Sequence, residues 1–354
     1  MPLDYRLRGP GSTVSGAVAN GLAGGAAVAH ARCREPEVSL LTLAIGPVTQ
    51  NPSWQWLGPP VARELRKYFR IKIFRRELAR CDVALTVKVP LAADEEARAL
   101  DRGTRIIHMP VDRYCSPEEI RSERARLAGY AAVLVHCERL RPHLEAHVPN
   151  VWSIDHHNRF GLARPAAYRR TGFVLWVGAI QNAAYLLRWL ERHPLPVALK
   201  LLTNHTHKGG RAAFERTASQ IGLHARWERR TLDSHELVTW SARRQKRLLG
   251  EAIAAIDIKG GSEDFNQFTK PPTKAQKYVA SGLPFAVNAD SYSWEYFAAR
   301  GLTLATPDDS ARWFSEAYWR QTLDESRRLS AELSLEAVGR RLAAYVERVA
   351  DLRR

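Results

Sequence analysis

The sequence predicts an α/β protein built from two doubly wound parallel sheets in succession. Three observations carry that prediction. Short apolar runs, such as 38–45, 82–89 and 252–258, alternate with helix-like segments from end to end, and this alternation places parallel strands between layers of helices. The pattern pauses at a basic stretch near 158–171 and then restarts. A length of 354 residues suits two domains at ~100–200 residues each.

The elements follow in order. A short strand over 5–8 leads through Gly9-Pro10-Gly11-Ser12 into a helix of small residues ending near Cys33. Strands are expected at 38–45, 82–89, 105–108, 131–136 and 151–154, with helices at 61–80 and 117–129. After the break come strands at 172–177 and 197–202, and helices at 183–191, 211–221 and 238–249. The run 252–258 reads as a buried strand, 273–281 as a helix, 283–287 as a strand and 291–300 as a helix. Residues 335–352 form an amphipathic helix.

Composition narrows the function classes. Lys and Arg number 53 against 37 Asp and Glu, a formal net charge of +16, so anionic partners are favoured: nucleotide phosphates, anionic lipid or nucleic acid. Charged residues at 25% and apolar residues at 45% argue for folded cores rather than disorder. Cys33, Cys81, Cys115 and Cys137 are scattered without a Cys-x-x-Cys pair, which speaks against a zinc site or disulfide framework and fits a reducing cytoplasm. The Gly/Ala run at 17–29 is too short to span a bilayer.

The most informative stretch is 257–288. It writes strand, basic loop, helix start, short helix, strand. Pro271 and Pro272 stand before the helix, Thr273 sits where an N-cap is expected, and Gly282 with Pro284 stops the helix. A helix start at the carboxyl end of a strand presents free N–H groups and the positive end of the dipole, and it binds phosphate. Lys270 and Lys274 add charge there.

Thr273-Lys274, Tyr278, Ala280, Gly282 and Pro284 resemble the nucleotide-sugar-binding segment of glycosyltransferases of the GT-B fold. Two positions depart. Many retaining members carry a pair of glutamates where this chain has Thr269 and Lys277, and the second of these usually holds the donor ribose. The resemblance implies two Rossmann-like domains facing each other across a cleft. Residues 1–160 would form the acceptor side, 161–171 the linker and 172–334 the nucleotide-sugar side. The helix in 335–354 would return to the first domain. It further implies a donor pocket lined by Gly178, Asn182, Asn266, Lys270, Thr273 and Lys274.

Other motifs leave alternatives open. Arg8 to Gly16 is a glycine loop with neither a P-loop ending nor a full dinucleotide fingerprint, and it serves as a ligand loop or a tight turn. In Arg105 to Tyr114, Asp112 or His108 takes the acceptor hydroxyl's proton, or Asp112 caps a turn. His156-His157 lacks a third ligand at a telling spacing, and Asp-x-Asp is absent, so no metal is expected. The stretch 61–80 reads as a basic helix with a Leu65–Phe69–Ile73 seam after Trp54 and Trp56. Such a helix docks on anionic membrane, grips nucleic acid, or packs in the core.

The expectation is therefore a metal-independent glycosyltransferase without cofactor, taking a nucleotide sugar and a glycan or glycolipid acceptor. It would be cytoplasmic, with possible attachment at the inner membrane face. A nucleic-acid acceptor and a non-catalytic binding protein are the alternatives.

Overall fold

The computed structural model describes residues 41–203 and 235–352. The strand expected at 5–8, the glycine loop, the helix of small residues and the helix at 211–221 lie outside the described residues.

The first half opens with β1 (Thr42–Gly46), α1 (Pro52–Leu65), β2 (Arg70–Ile73) and β3 (Val83–Val87). It continues with α2 (Ala93–Asp101), β4 (Arg105–Met109), α3 (Pro117–Ser122) and α4 (Arg124–Ala128). β5 (Ala132–Val135), α5 (Arg141–Glu145) and β6 (Val151–Ser153) complete it. The strands pair in the order β2-β1-β3-β4-β5-β6, all parallel. β3 and β5 are buried at every residue, as strands covered on both faces must be. Successive β1 residues face opposite cores: Leu43 and Ile45 join Trp54, Leu57 and Leu65 on one side, and Ala44 joins Phe74, Leu127 and Tyr130 on the other.

The second half contains β7 (Phe173–Val177), α6 (Ala184–Leu190), β8 (Ala198–Thr203) and β9 (His235–Thr239). Then come α7 (Ala242–Glu251), β10 (Ala254–Asp257), α8 (Phe265–Phe268), α9 (Thr273–Ala280) and β11 (Phe285–Val287). α10 (Tyr292–Ala298), α11 (Ser310–Trp313) and α12 (Glu316–Glu332) follow. This sheet is also parallel, in the order β11-β10-β7-β8-β9. The last helix, α13 (Leu335–Asp351), leaves the second half and packs on the first sheet. Val338, Leu342, Val346 and Val349 enter the core formed by Leu43, Val61 and Leu85. Arg105 donates to the carbonyls of Ala350 and Leu352, and Tyr345 Oη donates to Ser153 O at 2.8 Å.

The architecture of two parallel α/β sheets matches the expected fold class. Several elements do not match. The helix expected over 61–80 is absent. α1 begins ahead of it, at Pro52, and ends at Leu65, and 70–73 forms an edge strand paired with Thr42–Ile45. The four-residue spacing of Leu65, Phe69 and Ile73 imitates a helical seam. Leu65 (0% exposed) and Phe69 are core residues, whereas Ile73 (46% exposed) sits on the sheet edge. The seam that suggested membrane docking is therefore not formed. Arg70 and Lys72 instead place charge on an edge strand, which discourages edge-to-edge pairing.

Pro59 and Pro60 lie within α1, whereas a helix over 61–80 would leave them outside. Proline carries no N–H, so the Gln55 carbonyl loses its partner at Pro59, and Arg159 Nη1 donates to it at 2.5 Å. The helix expected over 238–249 divides into β9 and α7 at Ser241, whose hydroxyl accepts from Arg244 N–H at 3.2 Å. The helix expected over 117–129 breaks at Glu123 into α3 and α4.

Candidate functional site

The carboxyl ends of both sheets carry the polar groups that meet between the two halves, as expected for open parallel sheets. On the second half, β10 ends at Asp257, which is buried beneath a group of cations. Its Oδ1 accepts from Trp176 Nε1 at 3.0 Å and from Lys274 Nζ at 2.9 Å, and Lys259 Nζ lies 2.9 Å from Oδ2. Burial pushes the carboxyl up, but the two ammonium groups outweigh it and hold the pKa at about 2. Asp257 is thus a fixed negative charge.

Lys274 reaches it from the first turn of α9, passing 4.5 Å from the Trp176 ring centroid. Gly178 makes room for this arrangement: a Cβ there would sit 2.8 Å from the Trp176 ring and 3.1 Å from Lys274 Nζ. Burial lowers the Lys274 pKa, Asp257 opposes that, and the like charges of Lys259 and Lys270 add to it, leaving about 8. Lys270 Nζ donates to Asn182 Oδ1 at 3.1 Å. Its pKa is lowered by burial and then by Lys259. Two ammonium groups thus pair with one permanent carboxylate at the start of α9, and a third, that of Lys270, stands near them.

Thr273 is the first residue of α9, and Pro272 holds the cap position, so the hydroxyl caps nothing. It faces His156 Nδ1 across the cleft at 3.2 Å. The early N–H groups of α9 precede any helical acceptor and stay available to a ligand. The stop at Gly282 is as expected: its φ is +68°, and Leu283 N–H closes back on Tyr278 O at 3.0 Å.

Asn266 lines no pocket of its own with these lysines. Its Nδ2 donates to Tyr114 O at 3.1 Å and ties α8 to the first half. Arg139 makes a second tie: it donates to Glu295 Oε2 and Asp290 O, both at 2.9 Å, and stacks 4.0 Å from the Phe268 ring centroid. Asp155 makes a third, accepting from Gln276 Nε2 at 2.7 Å.

The two proposed proton acceptors separate. Asp112 is exposed, adopts φ +47° just beyond β4, and lines a crevice with His136, Asn266, Thr269 and Pro271. Aspartate tolerates this left-handed conformation better than most residues. His108 points into the first half instead. It is 1% exposed, its Nδ1 lies 2.8 Å from Thr86 Oγ1, and its ring packs on Tyr130. Burial lowers its pKa to about 3, and it has no route to an acceptor in the cleft. The reason is alternation along β4, which turns His108 to the face opposite Ile107.

His136 and His156 meet edge-on with centroids 3.8 Å apart, and burial keeps both neutral at pH 7. Among the described residues no group of His, Cys, Asp or Glu is arranged to hold a metal ion. The sequence reasoning assigned no role to Asp257, Lys259 or Trp176, and it expected Asp155 on the functional face of the first half. Asp257 and Lys259 flank the end of a buried strand at the edge of the basic loop, which was the available signal.

No family model matches the sequence, and no curated protein matches it. Solved structures do. The chain is similar to a glycosyltransferase from Rickettsia africae ESF-5, with a TM-score of 0.61, 9% identity and coverage of 89% of this chain and 100% of that one. It is similar to Anabaena HepE in complex with UDP, at 0.58, 8%, 87% and 100%. It is also similar to AviGT4, a glycosyltransferase involved in avilamycin A biosynthesis, at 0.51, 12%, 88% and 98%.

Proposed function

We propose, from the premise that this chain has the fold of GT-B-type glycosyltransferases, that it transfers a sugar from a nucleotide-sugar donor to a glycan or glycolipid acceptor. The observation that carries the proposal is the set of Lys259, Lys270 and Lys274 around Asp257 at the start of α9. Asp257 is taken up by Lys259 and Lys274, and Asp112 and Asp264 act on Lys270 without an ion-pair contact, so the Lys270 ammonium stays open to an added anion in a partly desolvated place. A nucleotide diphosphate supplies the missing anion.

In this mechanism the ammonium groups and the first N–H groups of α9 stabilise the charge that develops on the leaving phosphates, and the Thr273 hydroxyl donates to a phosphate oxygen. Asn182 positions Lys270 through its carbonyl, and Gly178 lets Lys274 lie against Trp176. Asp112 accepts the acceptor hydroxyl's proton from the first-half side of the crevice. The lysines supply the electrostatic role a divalent ion has elsewhere, so turnover should survive EDTA, and loss of activity restored by magnesium or manganese would refute this part.

The deciding experiment is a thermal-shift screen against nucleoside diphosphates, beginning with UDP, the ligand of HepE. A rise in Tm with one base and hydrolysis of its sugar derivative support the proposal. No shift with any nucleotide refutes it, and a shift without turnover identifies a binding protein. The charge of +16 keeps a nucleic-acid acceptor as the second reading. Retention of DNA with steep salt dependence would favour it. No helix among the described residues is long and apolar enough to cross a membrane. The scattered cysteines favour a reducing, cytoplasmic setting for the proposed activity.

A further inference from the structure

Lys277 stands one helical turn beyond Thr273 and Lys274, about 5.4 Å along α9. It is 7% exposed, and its Nζ lies across the cleft, 4.6 Å from the Trp56 ring centroid. Its charged neighbours are Lys274 and Arg159, both positive, and among the described residues no carboxylate pairs with it. A buried ammonium without a counter-charge is costly, and the usual solution is a paired carboxylate. Asp257 is such a carboxylate for Lys259 and Lys274, and the described residues offer none to Lys277.

Around Lys277 the chain supplies aromatic rings. Phe160 meets Trp56 edge-on at 6.5 Å, and Trp240 meets Phe160 edge-on at 5.7 Å. Trp240 is 36% exposed, so the row of rings leads from the buried ammonium toward solvent. Two backbone features hold the row in place. Phe160 adopts φ +65°, and Trp56 Nε1 donates to His157 O at 3.2 Å. Trp, with an apolar body and a polar tip, suits a wet site of this kind. Such a wall presents flat apolar surface to the C–H faces of a sugar ring, and the ammonium at its inner end meets an oxyanion.

We propose that Lys277 recognises a carboxylate carried on a sugar ring in the cleft, so that the substrates include an acidic, uronate-type sugar. The proposal rests on the glycosyltransferase reading. The diphosphate and the carboxylate occupy different places. The first is met by Lys259, Lys270 and Lys274, and the second is met by Lys277 against the aromatic wall. The acidic ring belongs to the donor or to the acceptor, and the test separates these sources.

Thermal shifts of the full chain at pH 6.5 and low salt are compared for two matched pairs. Glucuronate 1-phosphate against glucose 1-phosphate reports a donor ring. Methyl glucuronoside against methyl glucoside, which lack phosphate, reports an acceptor ring. The acidic member of at least one pair should give the same shift at about a tenfold lower concentration, the factor expected of one charge-assisted hydrogen bond. Lys277→Met should abolish that preference. Lys270→Met should weaken the response to both sugar phosphates and leave the preference intact. Equal responses within both pairs, or a preference that survives Lys277→Met, overturn the proposal. Should Lys277→Met fail to fold, the wild-type preference is followed with pH. It should fade as pH rises above 7, and a preference constant to pH 9 overturns the proposal. These probes carry no base, so a failed nucleotide screen refutes the broader function without deciding this result.

Discussion

Replacing Lys270 by Met removes one ammonium from the phosphate face while leaving Asp257 with both of its own cations. The only hydrogen bond described for Lys270 Nζ goes to Asn182 Oδ1, at 3.1 Å. Burial and the nearby Lys259 already disfavour its charge, so the folded protein gains little from it. The thermal midpoint should therefore hardly move. A bound diphosphate loses more. One charge-assisted hydrogen bond is worth ~1.5–3 kcal/mol, which is about a 10- to 150-fold rise in Kd. Lys274→Met is a less clean perturbation, since it takes a 2.9 Å partner from the buried Asp257 and mixes stability with affinity. Titration calorimetry of wild type and Lys270→Met with the nucleotide selected by the screen gives the comparison. An unchanged Kd beside an unchanged midpoint would show that the phosphates lie elsewhere. A fall in both would mean that Lys270 supports the fold rather than the ligand.

Gly178→Ala should cost ~1–3 kcal/mol of stability, read by urea denaturation, because its Cβ meets the Trp176 ring at 2.8 Å; an unaltered midpoint would show that the ring yields freely. Lys277→Met should raise the midpoint most below pH 7. There the buried lysine, with its pKa lowered to about 7, is charged in both the folded and unfolded chain, and the burial penalty is fully present. As pH rises from 7 toward the ordinary lysine value, the folded group is neutral while the unfolded one still binds a proton, so the penalty shrinks. An advantage that grew with pH would contradict the argument. Arg139→Ala breaks donations to Glu295 and to the carbonyls of Phe268 and Asp290. Hydrogen exchange should then quicken across α8 and α10, with about 2 kcal/mol lost, and unchanged exchange there would remove Arg139 as a tie between the halves.

The elements most legible in the sequence were the central strands, because strands covered on both faces are continuous apolar runs. The edge defeated this reasoning. Arg-Ile-Lys-Ile at 70–73 is short and half exposed, and its neighbours fell by chance at helical spacing. At the site, the start of α9 was legible because prolines, lysines and a stop glycine are all local signals. Its partners were not. Trp176 and Asp257 lie 81 residues apart, and Trp56 reaches Lys277 from the other half of the chain. Such pairs exist only through topology. His108 and Asp112 looked alike in sequence, both near the end of one strand, but alternation within β4 turns His108 into the core, whereas Asp112 lies past the strand in a left-handed turn that carries it out to solvent.

The return of α13 to the first sheet has a consequence for the order of assembly during synthesis. Val338, Leu342, Val346 and Val349 leave a ribosome long after the other members of the core they wall, from Leu43 to Ile154. The early half must wait with that face uncovered, while the later half already holds the described strands and helices of its own core. Vectorial folding, which favours completing the first-made domain first, is inverted here. Until α13 docks, the nascent chain carries an open apolar surface on the earlier of these two halves, and that half is where chaperone protection during translation should concentrate.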